Sequence, residues 1–492
     1  MIPIYNNDLK YGSYIFTNPG LYQLKENIIF HPNPDNDFKP KKEQFEKYPP
    51  HKGYVLGFFA AFVFESEDVI FDLNGYTIEC SIEFALKQRF FALIELASSP
   101  FIPKQGPANF GSDIIFVKNC FIKNGTLGLT SHHGIHGNGM SNIYISDLIF
   151  NNYEVSGISL NGGTYIIIEN CKLCGTSTNV SMLSTYSHAK FDLPFLKKIV
   201  DNDPTKVLEI CNGQSKTIQQ IYDNVQNEIT KFESYVLHGT SYNGIFKNNM
   251  KLVDDNVYGI SLNSLGVLVN DFKPLRDKDT IGNENIILKN IIIDDTMSNA
   301  NEIIGFFKNK IDGDNTDSSY GKSEFVGPVG DVFDLKKCID SNGHYKSNVI
   351  GDMQLAISKY AIDQKDLGTS NIDDFTINEW LPSTNINMKE LCDNGSKYYW
   401  VNGRDSMSHV MKGNIGLFIS QGLNICIKNI IINGVYNFGD SKKQNSSQSI
   451  GIGICGSENI HIKKYIIKNI CSYNGKEENI KIINLNKNIS IK

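Results

Sequence analysis

The chain has 492 residues, of which 41% are hydrophobic and 20% charged, an ordinary composition for soluble proteins. Its net charge of −6 argues against nucleic acid as a partner, because nucleic-acid-binding surfaces are usually basic. No apolar run approaches the length of a membrane-spanning helix, and no signal peptide is recognisable at the N-terminus. We therefore expect cytoplasmic synthesis without a signal peptide and no membrane span.

The first 36 residues precede any clear repeat and are predicted to cap one end of the fold, since open ends of stacked strands need covering. Residues 37–175 then carry an alternation of aliphatic and variable residues that is interrupted by Asn or Asp. Alternation with a period of two predicts β-strands. Asn tolerates the left-handed backbone conformation, so a sharp corner is predicted at each interruption. The predicted corner residues are Asn119, Asp147, Asn170, Asn290 and Asn429.

A second kind of strand begins with glycine, and each copy precedes a strand of the first, asparagine-interrupted kind. Copies start at Gly134, Gly157, Gly259, Gly416 and Gly451. Repetition of this kind predicts a solenoid, in which each coil packs on its neighbours and equivalent residues lie above one another. Aliphatic columns would fill the core, and a ladder of asparagines would follow one corner.

Two long segments interrupt the repeat. Residues 176–256 are predicted to be a helical insertion, because apolar residues recur there with helical spacing. One β-helix coil follows at 257–296, then an insertion of mixed character at 297–412, and the final coils at 413–492. Both insertions leave the coil at the same position, so we expect them to lie side by side.

The asparagine ladder, the isoleucine columns and residues 68–78 resemble the right-handed parallel β-helix, or pectin-lyase-like, superfamily. The resemblance covers roughly residues 12–175, 257–296 and 413–492. It implies an all-β, right-handed parallel β-helix solenoid with two insertions, the first partly α-helical. The superfamily includes lyases, hydrolases, epimerases and non-catalytic viral proteins, so the resemblance specifies the fold and not the function. The abundance of Ile, Asn, Lys, Tyr and Phe, whose codons are AT-rich, and the absent signal peptide are similar to β-helix proteins of giant DNA viruses, which implies a virion as a location.

In pectin-lyase-like enzymes the substrate lies along an exposed sheet, which here implies two outward rows on the glycine-led strands. These rows are rich in neutral hydrogen-bonding groups, which suit sugar hydroxyls, although Ser and Asn are also ordinary solvent-facing residues. A polysaccharide or other glycan is therefore the expected ligand. The predicted ligand-binding residues are His136, Asn138, Ser159, Asn161, Ser261, Asn263, Phe418 and Ser420.

The rows identified in the sequence lack the paired carboxylates that glycoside hydrolysis requires. We therefore predict a non-catalytic protein, glycan-binding or structural, which could form a homotrimer through side-by-side association. The alternative is a polysaccharide lyase or glycoside hydrolase whose catalytic acids come from the insertions.

A few clusters could carry chemistry in that alternative. The catalytic candidates are His136, Asp294, Asp295, Arg404 and Asp405. Histidines 132, 133 and 136 could bind a metal, although no carboxylate or cysteine is spaced beside them in the sequence. The acidic pair at 294–295 could hold Ca²⁺, although adjacent strand residues point in opposite directions and a solvated corner is the simpler interpretation. No cofactor is expected otherwise.

Overall fold

A computed structural model describes most of the repeat and part of the first insertion. The described residues are 1–54, 57–85, 90–100, 114–175, 199–210, 213–238, 257–263, 283–296, 413–437, 448–472, 477–483 and 488–492, with single positions between 189 and 197 and between 349 and 360. Over these residues the fold is mostly parallel β-sheet, consistent with an all-β solenoid.

Two long sheets run through the described residues. The first has 12 strands, which are β1 (Ile2–Ile4), β3 (Gly20–Leu24), β4 (Ile28–Phe30), β6 (Val69–Asp72), β7 (Thr77–Cys80), β9 (Lys118–Leu127), β11 (Ser141–Asn151), β13 (Thr164–Cys174), β17 (Glu284–Thr296), β19 (Leu423–Asn437), β21 (Glu458–Ser472) and β23 (Ile489–Ile491). The second has nine strands, which are β2 (Tyr14–Phe16), β5 (Ala60–Phe64), β8 (Ala92–Glu95), β10 (His133–Asn138), β12 (Ser156–Asn161), β16 (Tyr258–Asn263), β18 (Asn414–Ser420), β20 (Ser449–Cys455) and β22 (Glu477–Ile483).

From β9 onward the chain alternates between the two sheets, apart from the small hairpin in the first insertion. Each long strand therefore pairs with the strand one coil earlier and the strand one coil later, and every such pair is parallel. This alternation stacks equivalent residues. Ile145 lies opposite Ile122 and Ile168, and all three side chains are fully buried. The core is therefore a set of aliphatic columns between the two sheets.

The predicted corner ladder is present, but Asn119 was assigned to the wrong position. In the register of β9 and β11, Ile145 lies opposite Ile122, so Asn124 is the residue opposite Asp147. Asn124 has a left-handed backbone with φ +63°, as does Asp147 with φ +53°. The error arose because Ile115 and Val117 continue the aliphatic alternation before β9 begins.

Asn119 belongs to a second ladder that the sequence analysis missed. Its Oδ1 accepts a hydrogen bond from Nδ2 of Asn142 at 2.7 Å, and its own Nδ2 donates to Asp68 at 3.0 Å. Tyr165 takes the next corner, on β13, and the ladder resumes beyond it through Asn285, Asn424, Asn459 and Asn488. The available signal was an Asn directly before the first inward residue of most of these strands, with Tyr165 in its place on β13.

A second correction concerns the last coils. The sequence pattern, in which Asn484 follows Ile480 and Ile482, predicts the asparagine-containing strand at this point, but both isoleucines lie in β22 of the second sheet, opposite Ile452 and Ile454. The alternation of isoleucines is the same in both kinds of strand. Without the leading glycine, the sequence offered no means of telling them apart.

Residues 1–36, predicted as a cap, contain β1 to β4 and so begin both sheets.

The first insertion contains an antiparallel hairpin, β14 (Val207–Glu209) with β15 (Ser215–Thr217), and a helix at Ile218–His238. The helix buries one apolar face, through Ile218, Ile221, Val225 and Ile229. Shorter helical turns lie at Asn6–Leu9, Pro34–Asn36, Lys42–Gln44, Pro50–Lys52 and Ile82–Ala85. In the described part of the chain, no helix has the length and hydropathy needed to cross a membrane.

The two insertions contact each other. Nζ of Lys216, in the first insertion, lies 2.6 Å from Oδ2 of Asp352, in the second. The hydroxyl of Tyr360 donates to the carbonyl oxygen of Val207 at 2.8 Å. Asp352 is 2% exposed, and burial raises the pKa of its carboxyl while Lys216 opposes that rise.

Candidate functional site

The strand register brings the predicted ligand-binding residues into two rows on the second sheet. His136 lies opposite Ser159, which lies opposite Ser261, which lies opposite Phe418. The second row contains Asn138, Asn161 and Asn263. Ser420 follows two residues after Phe418 on β18 and lies opposite Cys455. Equivalent positions of the repeat therefore lie side by side, as the glycine-led pattern requires.

These rows are not an open surface, contrary to the expectation from the sequence. Seven of the eight predicted residues are at most 7% exposed, and Asn263 is half-buried. Part of the cover comes from the segment around β8. The ring of Phe90 lies edge-on to His136 with centroids 5.2 Å apart, and the carbonyl oxygen of Pro100 accepts a hydrogen bond from Asn138 at 3.1 Å.

A buried carboxyl, which the sequence analysis missed, extends the first row. Strand β8 places Glu95 opposite His136, and Oε2 of Glu95 lies 2.7 Å from Nδ1 of His136. Glu95 is fully buried and His136 is 3% exposed. Burial raises the pKa of the Glu95 carboxyl, because a charge is poorly solvated there, and His136 opposes the rise. The remaining oxygen of Glu95, Oε1, is buried and has no hydrogen-bond partner among the described residues.

The pair continues into a short polar network. Nδ2 of Asn161 lies 3.3 Å from Nε2 of His136 and donates to Oδ1 of Asn138 at 2.9 Å. Oδ1 of Asn161 is buried and accepts no hydrogen bond from the part of the chain that the structure describes. When Nδ1 of His136 donates to Glu95, Nε2 carries a lone pair, which is the tautomer that accepts from the Asn161 amide. The network thus links four residues from three adjacent strands of the second sheet.

Two other histidines lie beside this network. The ring of His133 stacks on that of His136 with centroids 5.0 Å apart and an interplanar angle of 17°. The ring of Phe90 contacts both His132 and His133. In the described part of the chain, no group of three or more His, Cys, Asp or Glu side chains is arranged to hold a metal ion.

The acidic pair at 294–295 lies at the end of β17, away from the two rows. Asp294 forms a 3.5 Å ion pair with Lys172 and accepts a 3.4 Å hydrogen bond from Asn433. Asp295 has a left-handed backbone with φ +45°, which makes it a corner residue. The structure does not bring this pair together with His136. Arg404 and Asp405 lie outside the described residues.

Chemically, a carboxyl paired with an imidazole can hold and transfer a proton. A reacting group would need access to Nε2 of His136 or Oε1 of Glu95, and both side chains are buried. Glu95 was missed because its strand, Ala92–Glu95, lacks the leading glycine by which its equivalents were recognised. The signal available in the sequence was a single carboxyl, Glu95, within an apolar run. Acidic side chains are seldom buried unless they are paired, so a carboxyl at such a place indicates a partner.

Comparisons of the chain with protein-family models, with curated proteins and with solved structures found no match. What the protein does is therefore inferred from its own residues.

Proposed function

We propose that the protein is a right-handed parallel β-helix with a non-catalytic, structural role. The fold proposal is supported by the alternation of strands between two parallel sheets. Crossovers between parallel strands of one sheet are right-handed in about 98% of cases, which favours this hand. The resemblance of the repeat to pectin-lyase-like proteins points the same way.

The observation that carries the structural role is that the polar rows are buried and hydrogen-bonded internally. Asn161 binds Asn138 and His136, and His136 binds Glu95. Binding of a glycan along these rows would require Phe90 and the backbone at Pro100 to move away. Buried hydrogen bonds between side chains of adjacent strands favour one arrangement of those strands, although Oε1 of Glu95 and Oδ1 of Asn161 accept none from the described residues. The rows therefore serve better to lock adjacent coils together than to present sugar ligands.

The experiment is incubation of the purified protein with a panel of neutral and acidic polysaccharides. Reducing ends and unsaturated products report hydrolysis and elimination, and affinity electrophoresis on the same panel reports binding. We expect neither turnover nor retardation. Retardation without turnover would support a glycan-binding role instead. A virion location and a trimeric assembly remain predictions.

A polysaccharide lyase or hydrolase is the second candidate, and one observation favours it. Glu95 has a raised pKa and a free Oε1 beside His136, which is the arrangement expected of a group that exchanges protons. The catalytic acid would then come from a coil and not from the insertions. If the panel reveals turnover, Glu95→Gln and His136→Asn should each abolish it, whereas Glu83→Gln, at an exposed position in a short helix, should not.

A further inference from the structure

A basic ridge runs along three consecutive strands of the first sheet, whereas the polar rows belong to the second. Lys289, Lys428 and Lys463 occupy equivalent positions of β17, β19 and β21 and lie directly opposite one another. All three side chains are exposed. Adjacent strands are about 4.8 Å apart, so the three ammonium groups form a closely spaced column.

Most of this positive charge is not neutralised within the described residues. Lys289 forms a 3.1 Å ion pair with Glu169. Lys428 and Lys463 form no ion pair with any described residue. Like charges directly opposite each other on neighbouring strands repel, so the column is destabilising unless an anion lies over it. Lys464, at the corner, and Lys468 add two more exposed charges.

An apolar row runs parallel to the lysines across the corner. Ile292, Ile431 and Ile466 lie opposite one another, and Ile292 and Ile466 are 36% and 54% exposed. Ile287 adds a further apolar side chain, 37% exposed, next to Lys289. Large aliphatic side chains on an outward sheet face indicate a surface that is covered in use.

We propose that this ridge docks on an anionic phospholipid surface. Aliphatic side chains beside lysines suit the boundary between acyl chains and phosphate headgroups. Sugar-binding faces rely instead on aromatic platforms and polar side chains, and the apolar row consists of isoleucines. The docking is peripheral, because only outward side chains of the sheet enter the headgroup region. It is independent of the proposed structural role of the second sheet.

The test is co-sedimentation of the full chain with vesicles of phosphatidylcholine, with or without phosphatidylserine. We expect binding only to vesicles that contain phosphatidylserine, with affinity falling as salt rises. Lys428→Gln/Lys463→Gln should weaken binding roughly 30-fold. Ile466→Ser should weaken it about fivefold, because an apolar contact is lost. Both changes are at exposed positions, and unchanged thermal unfolding would confirm that the fold is intact.

Matched controls remove the same groups elsewhere. Lys10→Gln/Lys42→Gln deletes two exposed lysines near the N-terminus, and Ile82→Ser deletes an isoleucine that is 45% exposed. Both controls should bind like the wild type. The proposal is overturned if the wild type does not sediment with anionic vesicles, or if the ridge variants bind as well as the controls. Retardation by a sulfated polysaccharide without vesicle binding would also overturn it and would identify an acidic glycan as the partner.

Discussion

Asn142 donates a hydrogen bond from its Nδ2 to Oδ1 of Asn119 over 2.7 Å, and both residues have left-handed backbones. Their strands are parallel neighbours in the first sheet, with Ser141 opposite Lys118 and Ile143 opposite Cys120. This contact fixes the register of β9 against β11. A shift of one residue would turn the buried Ile122 outward, since successive side chains on a strand alternate.

The register can be tested by cross-linking. Asn119→Cys/Asn142→Cys should form a disulfide on mild oxidation, because neighbouring strands bring the two Cα atoms within the range that a disulfide allows. Asn119→Cys/Asp147→Cys, which joins the ladder neighbours predicted from the sequence, should not. Peptide mass spectrometry without reduction identifies the bond. A cross-link between 119 and 147 would restore the register that the sequence suggested.

The columns of the core were predictable from the sequence, whereas the ladder to which a corner asparagine belongs was not. Ile143, Ile166 and Ile425 follow the strand period and are 0–1% exposed. Three of the long strands, however, have asparagine at both corners, as β17 does at Asn285 and Asn290. Aliphatic residues flank both corners, so local alternation fits either. Only pairing with the neighbouring strand decides between them, and that pairing is a long-range property.

The candidate site was predictable only in part, for a similar reason. The repeat gave the alignment of His136 with Ser159, because both follow a glycine by the same spacing. The repeat did not predict that Glu95 lies beside His136, because the strand of Glu95 lacks that glycine. It also did not predict that the rows are buried. Burial depends on what packs above a sheet, such as Phe90, and a period-two pattern reports only which side chains share a face.

The corner ladder should contribute measurably to stability. Asn290 has φ +54°, accepts a hydrogen bond from Asn429 at 2.9 Å and donates one to Asn170 at 2.9 Å. Asn290→Ala should lower the free energy of unfolding by about 2 kcal/mol, through backbone strain and lost hydrogen bonds. Asn290→Gly removes the strain and should cost less. Urea denaturation measures both, and equal losses would mean that the backbone conformation contributes nothing.

The inward and outward positions of one strand pair should differ sharply in their tolerance of truncation. Ile168 is fully buried between Ile145 and Leu288, so Ile168→Ala should cost about 3 kcal/mol. Ile149 is 44% exposed, so Ile149→Ala, on the neighbouring strand, should cost under about 1 kcal/mol. Urea titration of both variants gives the comparison. Similar losses at the two positions would contradict the assignment of faces.

The carboxyl of Glu95 should make stability depend on pH. Its pKa in the folded protein is raised, first by burial, with His136 opposing. A raised pKa means that folding favours the protonated form. The stability it contributes is complete below the unfolded value near 4.3 and is lost as pH rises through the folded pKa. Glu95→Gln keeps an acceptor for His136 and remains neutral, so it lacks this dependence.

Thermal unfolding of the wild type and of Glu95→Gln across pH 4 to 7 isolates the contribution of this carboxyl, because every other titrating group is common to both proteins. The melting temperature of the wild type should fall relative to that of the variant as pH rises above about 4. Glu83→Gln, at an exposed position, is the matched control for replacing a carboxyl by an amide. If the melting temperature of the wild type instead increases relative to that of Glu95→Gln as pH rises, attraction to His136 outweighs the cost of burying the charge.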